Sequence, residues 1–130
     1  MNLLFSLDMD DCRDDEHATV IGEAMETLIL RNLMHLDKHP GTLPLYESGV
    51  RYKFNPGMWQ DIPSTLRSQT GNCTDLVAWR VAELRRQKEP AMVHVELVGS
   101  DLFHVSIRRK DGRIEDPSRK LGMRGLEGLI

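Results

Sequence analysis

The feature that most constrains this chain is a change of hydrophobic period at Glu89-Pro90. Beyond it, residues 92–98 and 102–108 alternate with a period of two and read as strands. Lys110-Asp111-Gly112 is a tight hairpin loop, with Gly112 suited to a left-handed position. Residues 113–116 form a third strand, which Pro117 ends. Before the change, the apolar spacing is helical. Over residues 14–37, Val20, Ala24, Leu28, Leu33 and Leu36 make a stripe, widened by Ile21, Met25 and Ile29. His39-Pro40-Gly41 stops that helix, because the residue before a proline is pushed out of helical geometry. A short helix is predicted over residues 59–68, broken by Gln69-Thr70-Gly71, and another over residues 73–88. Helices followed by an antiparallel meander predict an α+β domain.

The remaining segments are less regular. Residues 2–8 alternate loosely and predict a short strand. Asp8, Asp10, Asp11, Asp14, Asp15 and Glu16 crowd the start of the long helix, where the macrodipole favours negative charge. Arg108, Arg109, Lys110, Arg113, Arg119, Lys120 and Arg124 crowd the other end, and both groups read as solvated faces. Residues 40–58, with Pro40, Pro44 and Pro56 among Gly41, Gly49 and Gly57, predict a long irregular stretch. Its Tyr46, Val50, Tyr52 and Phe54 are either functional or plugs over a core.

A chain of 130 residues suits one domain, 1–130, with a helical part over about 1–40 and a chemical core over about 59–123. Such a domain buries a core without metal or disulfide staples. The net charge of -3 gives no reason to expect nucleic-acid binding. Two cysteines, Cys12 and Cys73, make no disulfide framework. The opening residues lack a basic signal-peptide start, and no apolar stretch approaches the ~20 residues of a membrane helix. A cytoplasmic protein with a free thiol is the expectation. No metal site is expected: the acidic cluster lacks the glycine and terminal glutamate of a calcium loop, and Cys12 with His17 lacks a second ligand pair. Glycine-rich phosphate loops are absent, and no cofactor is expected.

The chemistry concentrates around Cys73. A helix predicted to begin there puts its thiol beside unpaired amides and the positive end of a dipole, and both favour thiolate. Asn72 is a favoured cap, and Asp75 three residues on can complete a capping box, although its negative charge works against the thiolate. Gly71 removes bulk where a substrate could approach, and the same amides could hold a developing oxyanion. The simpler reading of Cys73 is a buried core cysteine. His104 alternates with Phe103, Val105 and Ile107, so it turns away from them and can serve as a general base, or be a surface histidine. If Arg109 pairs with Arg113 around the hairpin loop, His104 faces Ser118 and Asp116 is its diagonal neighbour on the same face, within about 7–8 Å. Asp116 could then orient the imidazole, or simply cap the turn before Pro117. His94 is a spare base without a matching acid, and His35 and His39 are favourable charges at a helix end.

The segments Gly71-Asn72-Cys73-Thr74-Asp75-Leu76-Val77-Ala78-Trp79-Arg80, Phe103-His104-Val105 and Glu115-Asp116-Pro117-Ser118 together resemble the transglutaminase-like branch of the papain-fold cysteine enzymes. Cys73, His104 and Asp116 match that branch's order of cysteine on a helix start, histidine on a strand and aspartate on the next strand. The chain looks closest to small transglutaminase-like proteins of phages and prophages, a likeness that extends over residues 45–52 and 116–123. It departs from the branch at Asn72 and Thr74, where acids more often flank the cysteine. The resemblance implies a papain-like core and a thiol-dependent hydrolase or acyl transferase acting on an amide in a protein or peptide. It also implies an upstream side chain in the oxyanion hole, for which Gln69 and Gln60 are candidates, Trp59 a weaker one, and Asn72 a further substrate contact. Virion components become candidate partners, and host cytoplasm or virion the location. The alternative is a phage structural or assembly protein, or a protein-binding module, with the triad idle on the same fold.

Overall fold

The computed structural model describes residues 2–4, 14–98 and 102–124. In chain order the elements are β1 (Asn2–Leu4), α1 (Asp14–Lys38), a 3-10 turn (Leu45–Glu47), β2 (Arg51–Tyr52), β3 (Met58–Gln60), α2 (Ile62–Ser68), β4 (Thr70–Gly71), α3 (Cys73–Arg86), β5 (Ala91–Leu97), β6 (Phe103–Arg109), β7 (Ile114–Glu115) and α4 (Pro117–Lys120). Helix and sheet are mixed in an α+β arrangement with a long N-terminal helix. No helix among the described residues is long and apolar enough to cross a membrane.

Helix α3 lies at the centre. Every residue from Thr74 to Leu84 except Arg80 is buried, the pattern of a helix enclosed on all sides. It packs against α1, β5, β6 and α4. From α1 come Ile21, Met25, Leu28, Ile29 and Leu36, and from β6 Val105 and Ile107. Val20, assigned to the buried stripe from spacing, is 36% exposed, while Asn32 is fully buried. The stripe therefore runs one position later than predicted at its start. Asn32 is tolerated inside it because its Oδ1 accepts the Ile62 N–H at 3.0 Å, closing an open donor of α2.

The sheet β5-β6-β7 is an antiparallel meander. Its register pairs Ile107 with Glu115 and Arg108 with Ile114. Around the loop, the Arg109 N–H donates to Arg113 O at 2.9 Å, and Gly112 sits at φ 87. The third strand is shorter than residues 113–116. Asp116 leaves it to cap α4, where Pro117 occupies a first-turn position that needs no N–H.

Two further predictions are corrected. Residues 59–68 are not one helix: Trp59 and Gln60 pair with β1, and α2 begins only after Asp61, whose Oδ1 accepts the Ser64 N–H at 3.1 Å. Residues 40–58 are not wholly irregular. They hold the 3-10 turn, β2 and the first residue of β3, and β2 pairs in parallel with β4, Tyr52 against Gly71. Of the strand predicted over residues 2–8, residues 2–4 form β1 and the rest lie outside the described residues, as do Asp8, Asp10, Asp11 and Cys12.

Candidate active site

Cys73 is the first residue of α3, half-buried and in the free thiol form. The capping box forms as predicted: Asn72 Oδ1 accepts the Asp75 N–H at 3.0 Å, and Asp75 Oδ2 accepts the Asn72 N–H at 3.0 Å. The next N–H, of Leu76, goes to Asn72 O. The N–H groups of Cys73 and Thr74 belong to the first turn, which has no partners within the helix. They are the donors a developing oxyanion beside Sγ could use.

His104 and Asp116 meet as the register predicted. His104 Nε2 lies 2.8 Å from Asp116 Oδ2. Both faces of β6 are covered at this level: Val105 and Ile107 are fully buried on one, and on the other His104 is only 6% exposed and Ser106 only 2%, so His104 is no surface histidine. Burial opposes its cation. The hydrogen bond to Asp116, the neighbouring Cys73 and the charges of both overcome that penalty and push the imidazole up to about 9. Nδ1 is buried and has no hydrogen-bond partner among the described residues. Asp116 is held below the ordinary carboxylate range: burial works against its charge, but His104, the Arg119 N–H and the Arg119 guanidinium outweigh it.

Asp75 is not the plain negative charge expected beside the thiol. It is 2% exposed, and its carboxyl accepts from Gln60 N at 2.6 Å, Gln60 Nε2 at 3.2 Å and Asn72 N at 3.0 Å. Burial outweighs those bonds and pushes it up to about 7. Its opposition to the thiolate is therefore weakened near neutral pH. Gly71 also differs from expectation. A Cβ there would lie 2.9 Å from Leu76 Cδ2, 3.2 Å from Asp75 Cβ and 3.3 Å from Thr65 Cγ2. The missing side chain makes room for the protein's own helix start, not for a substrate.

The four oxyanion and substrate-contact candidates are placed as follows. Gln60 spends its amide hydrogens on Thr70 O at 3.0 Å and Asp75 Oδ2 at 3.2 Å. Asn72 spends its own on Asn55 O at 2.8 Å and Met58 O at 2.7 Å. Both brace the segment before Cys73. Trp59 is buried in β3 at 2% exposure. Gln69 caps α2 in the left-handed region, at φ 59, and its Nε2 donates to Leu66 O at 2.8 Å.

Tyr52 neighbours the candidate site, a placement that sequence reasoning did not assign: it pairs with Gly71, two residues before Cys73. Its N–H donates to Leu121 O at 2.9 Å, which ties β2 to the end of α4. Burial first, and then the charges of Cys73 and Asp116, push its phenol up to about 12. His94 is not part of the site; it lies on the outer part of the sheet between Glu96 and Arg108. His35 and His39 stack at the end of α1 with centroids 4.6 Å apart. Among the described residues, no three His, Cys, Asp or Glu side chains gather as a metal site. No protein-family model, curated protein or solved structure matches the chain.

Proposed function

We propose that this chain is a cysteine-dependent amide or peptide hydrolase, or a related acyl transferase, on a transglutaminase-like papain fold. The observation that carries the reading is the His104 Nε2 to Asp116 Oδ2 contact of 2.8 Å, on a buried imidazole whose other neighbour is Cys73 at a helix start. In the mechanism, Cys73 Sγ attacks an amide carbonyl and gives its proton to His104 Nδ1. Asp116 keeps the ring oriented and balances its cation. The oxyanion that forms is met by the Cys73 and Thr74 N–H groups. Collapse expels the amine, which takes the proton from His104, and leaves a thioester. Water then hydrolyses it, or an amine takes the acyl group in transglutamination. Hydrolysis is the favoured outcome, since water is always at hand. The free thiol suits a reducing cytoplasm, that of a host if the gene is a phage's.

The second reading is a phage structural or assembly protein, or a binding module, with the triad idle. It is favoured by the commitment of the Gln60 and Asn72 amides to neighbouring carbonyls and Asp75. The two separate on thiol reactivity. In a Cys12→Ser background at pH 6, iodoacetamide alkylates Cys73 about tenfold faster with His104 present than in His104→Ala, because an imidazolium holds the thiolate. Equal rates would discard the enzyme reading.

A further inference from the structure

A second polar cluster lies behind the triad and takes no part in its chemistry. Glu115 immediately precedes Asp116 and is 8% exposed. Its Oε2 accepts from the Tyr46 hydroxyl at 2.5 Å and from Arg80 Nε at 2.7 Å. Its Oε1 accepts from Arg109 at 2.6 Å. Arg80 also reaches Glu83 at 3.2 Å, and Glu83 takes the Trp79 indole N–H at 2.9 Å and the Leu45 N–H at 2.8 Å. The cluster joins the 3-10 turn, α3, β6 and β7.

Buried charge of this kind is costly to assemble and is weak as a source of net stability. What it does supply is position. Strand β7 has only two ladder residues, Ile114 and Glu115, and Asp116 has already left the ladder. So short a strand holds the following residue poorly by its backbone alone. Tyr46 grips the chain on both sides of Asp116. Its hydroxyl holds Glu115 just before, and its ring carries the Lys120 ammonium, 4.8 Å from the centroid, at the far end of α4. The Arg80 guanidinium covers the ring at 5.1 Å. We infer that Tyr46, with Arg80 and Arg109, acts as a positioning residue for the triad acid, clamping Glu115 and α4 so that Asp116 stays within hydrogen-bond reach of His104. This rests on the triad reading above.

The test follows His104 by NMR titration of ring-labelled histidine in the full chain, with folding checked by circular dichroism. Tyr46→Phe keeps the ring between its two cations and removes only the hold on Glu115. It lowers the His104 midpoint by about one pH unit, as expected when an opposite charge is loosened from its partner. Tyr46→Leu, which also releases Lys120, lowers it further. Glu26→Gln breaks the exposed Arg85–Glu26 pair elsewhere and leaves the midpoint unchanged, separating position from general loss of stability. If both Tyr46 variants titrate like the wild type while Asp116→Asn falls, the positioning role is overturned and the triad stands. If wild-type His104 titrates near an ordinary histidine and ignores Asp116→Asn, the triad reading falls and the inference with it.

Discussion

Replacing Asp116 with asparagine isolates the charge on which His104 depends. The amide is isosteric and can still accept the Arg119 N–H that Asp116 Oδ1 takes at 3.3 Å, so the cap of α4 survives. The perturbation therefore falls on the imidazole. Its lift from 6.5 to about 9 corresponds to about 3 kcal/mol of preference for the charged ring, at roughly 1.4 kcal/mol per unit. Cys73 shares in that lift, so removing Asp116 costs about 2 kcal/mol. Without it, only Cys73 is left to oppose burial, and His104 titrates about one and a half pH units below its wild-type midpoint. The effect on folding has a definite sign. The folded ring binds its proton more tightly than the unfolded chain does, so its stabilisation is complete below about pH 6.5 and is lost as pH rises through about 9. Asp116, held low, contributes above its ordinary carboxylate value and loses that contribution on acidification. The advantage of the wild type over Asp116→Asn should thus be greatest from about pH 5 to 6.5 and should shrink as pH rises through about 9. Urea midpoints at pH 6 and pH 10, with NMR titration of the histidines, measure both quantities. A stability difference identical at the two pH values, or a His104 midpoint unmoved by the substitution, would refute the reasoning.

Asp75→Asn should gain on the wild type as pH rises. The buried acid, pushed up to about 7, takes up a proton on folding between about pH 4 and 7, so wild-type stability falls across that range and then levels; urea midpoints at pH 4.5 and 7.5 check it, and a constant difference would count against it. Gly71→Ala should lower stability by about 1–3 kcal/mol, because its Cβ would press on fully buried Leu76 and on Thr65; a wild-type melting temperature would show that this helix start can give way. Asn72→Ala removes the cap acceptor for Asp75 N–H and the donors to Asn55 O and Met58 O. It should cost about 2 kcal/mol in urea unfolding and slow Cys73 alkylation in the Cys12→Ser background.

What could be read from sequence was whatever has a period or a fixed offset. The hairpin loop sets Arg109 against Arg113, and counting outward from it joins His104 to Asp116. The cap box needs only Asn72 and Asp75 three residues apart. Phase was harder. Val20 and Ile21 are both apolar, and only packing against α3 decides which turns inward. Two-residue strands have no period at all, so nothing in Arg51-Tyr52 or Thr70-Gly71 announces a parallel pairing that carries Tyr52 to the thiol. Trp59 and Gln60 suit helix or strand equally, and the Asp61 cap that decides the matter acts locally. Glu83 and Glu115 look like surface charges, because the partners that make their burial tolerable lie 38 and 35 residues away, at Leu45 and Arg80.

The proposed triad is built from two bodies. His104 and Asp116 ride together on the β6–β7 hairpin and its exit, whereas Cys73 rides on α3, enclosed by the core. A small separation of sheet from helix would leave the imidazole–carboxylate contact intact and still break the proposed proton exchange with sulfur. The joint between the two bodies is therefore where precision is needed, and apolar packing there is non-directional. The Arg80–Glu115 pair at 2.7 Å spans that joint, one partner on α3 and the other beside Asp116. A hydrogen-bonded ion pair has the direction that Val105 and Ile107 lack, which gives a physical reason for a buried charge pair where an apolar contact would cost less to assemble.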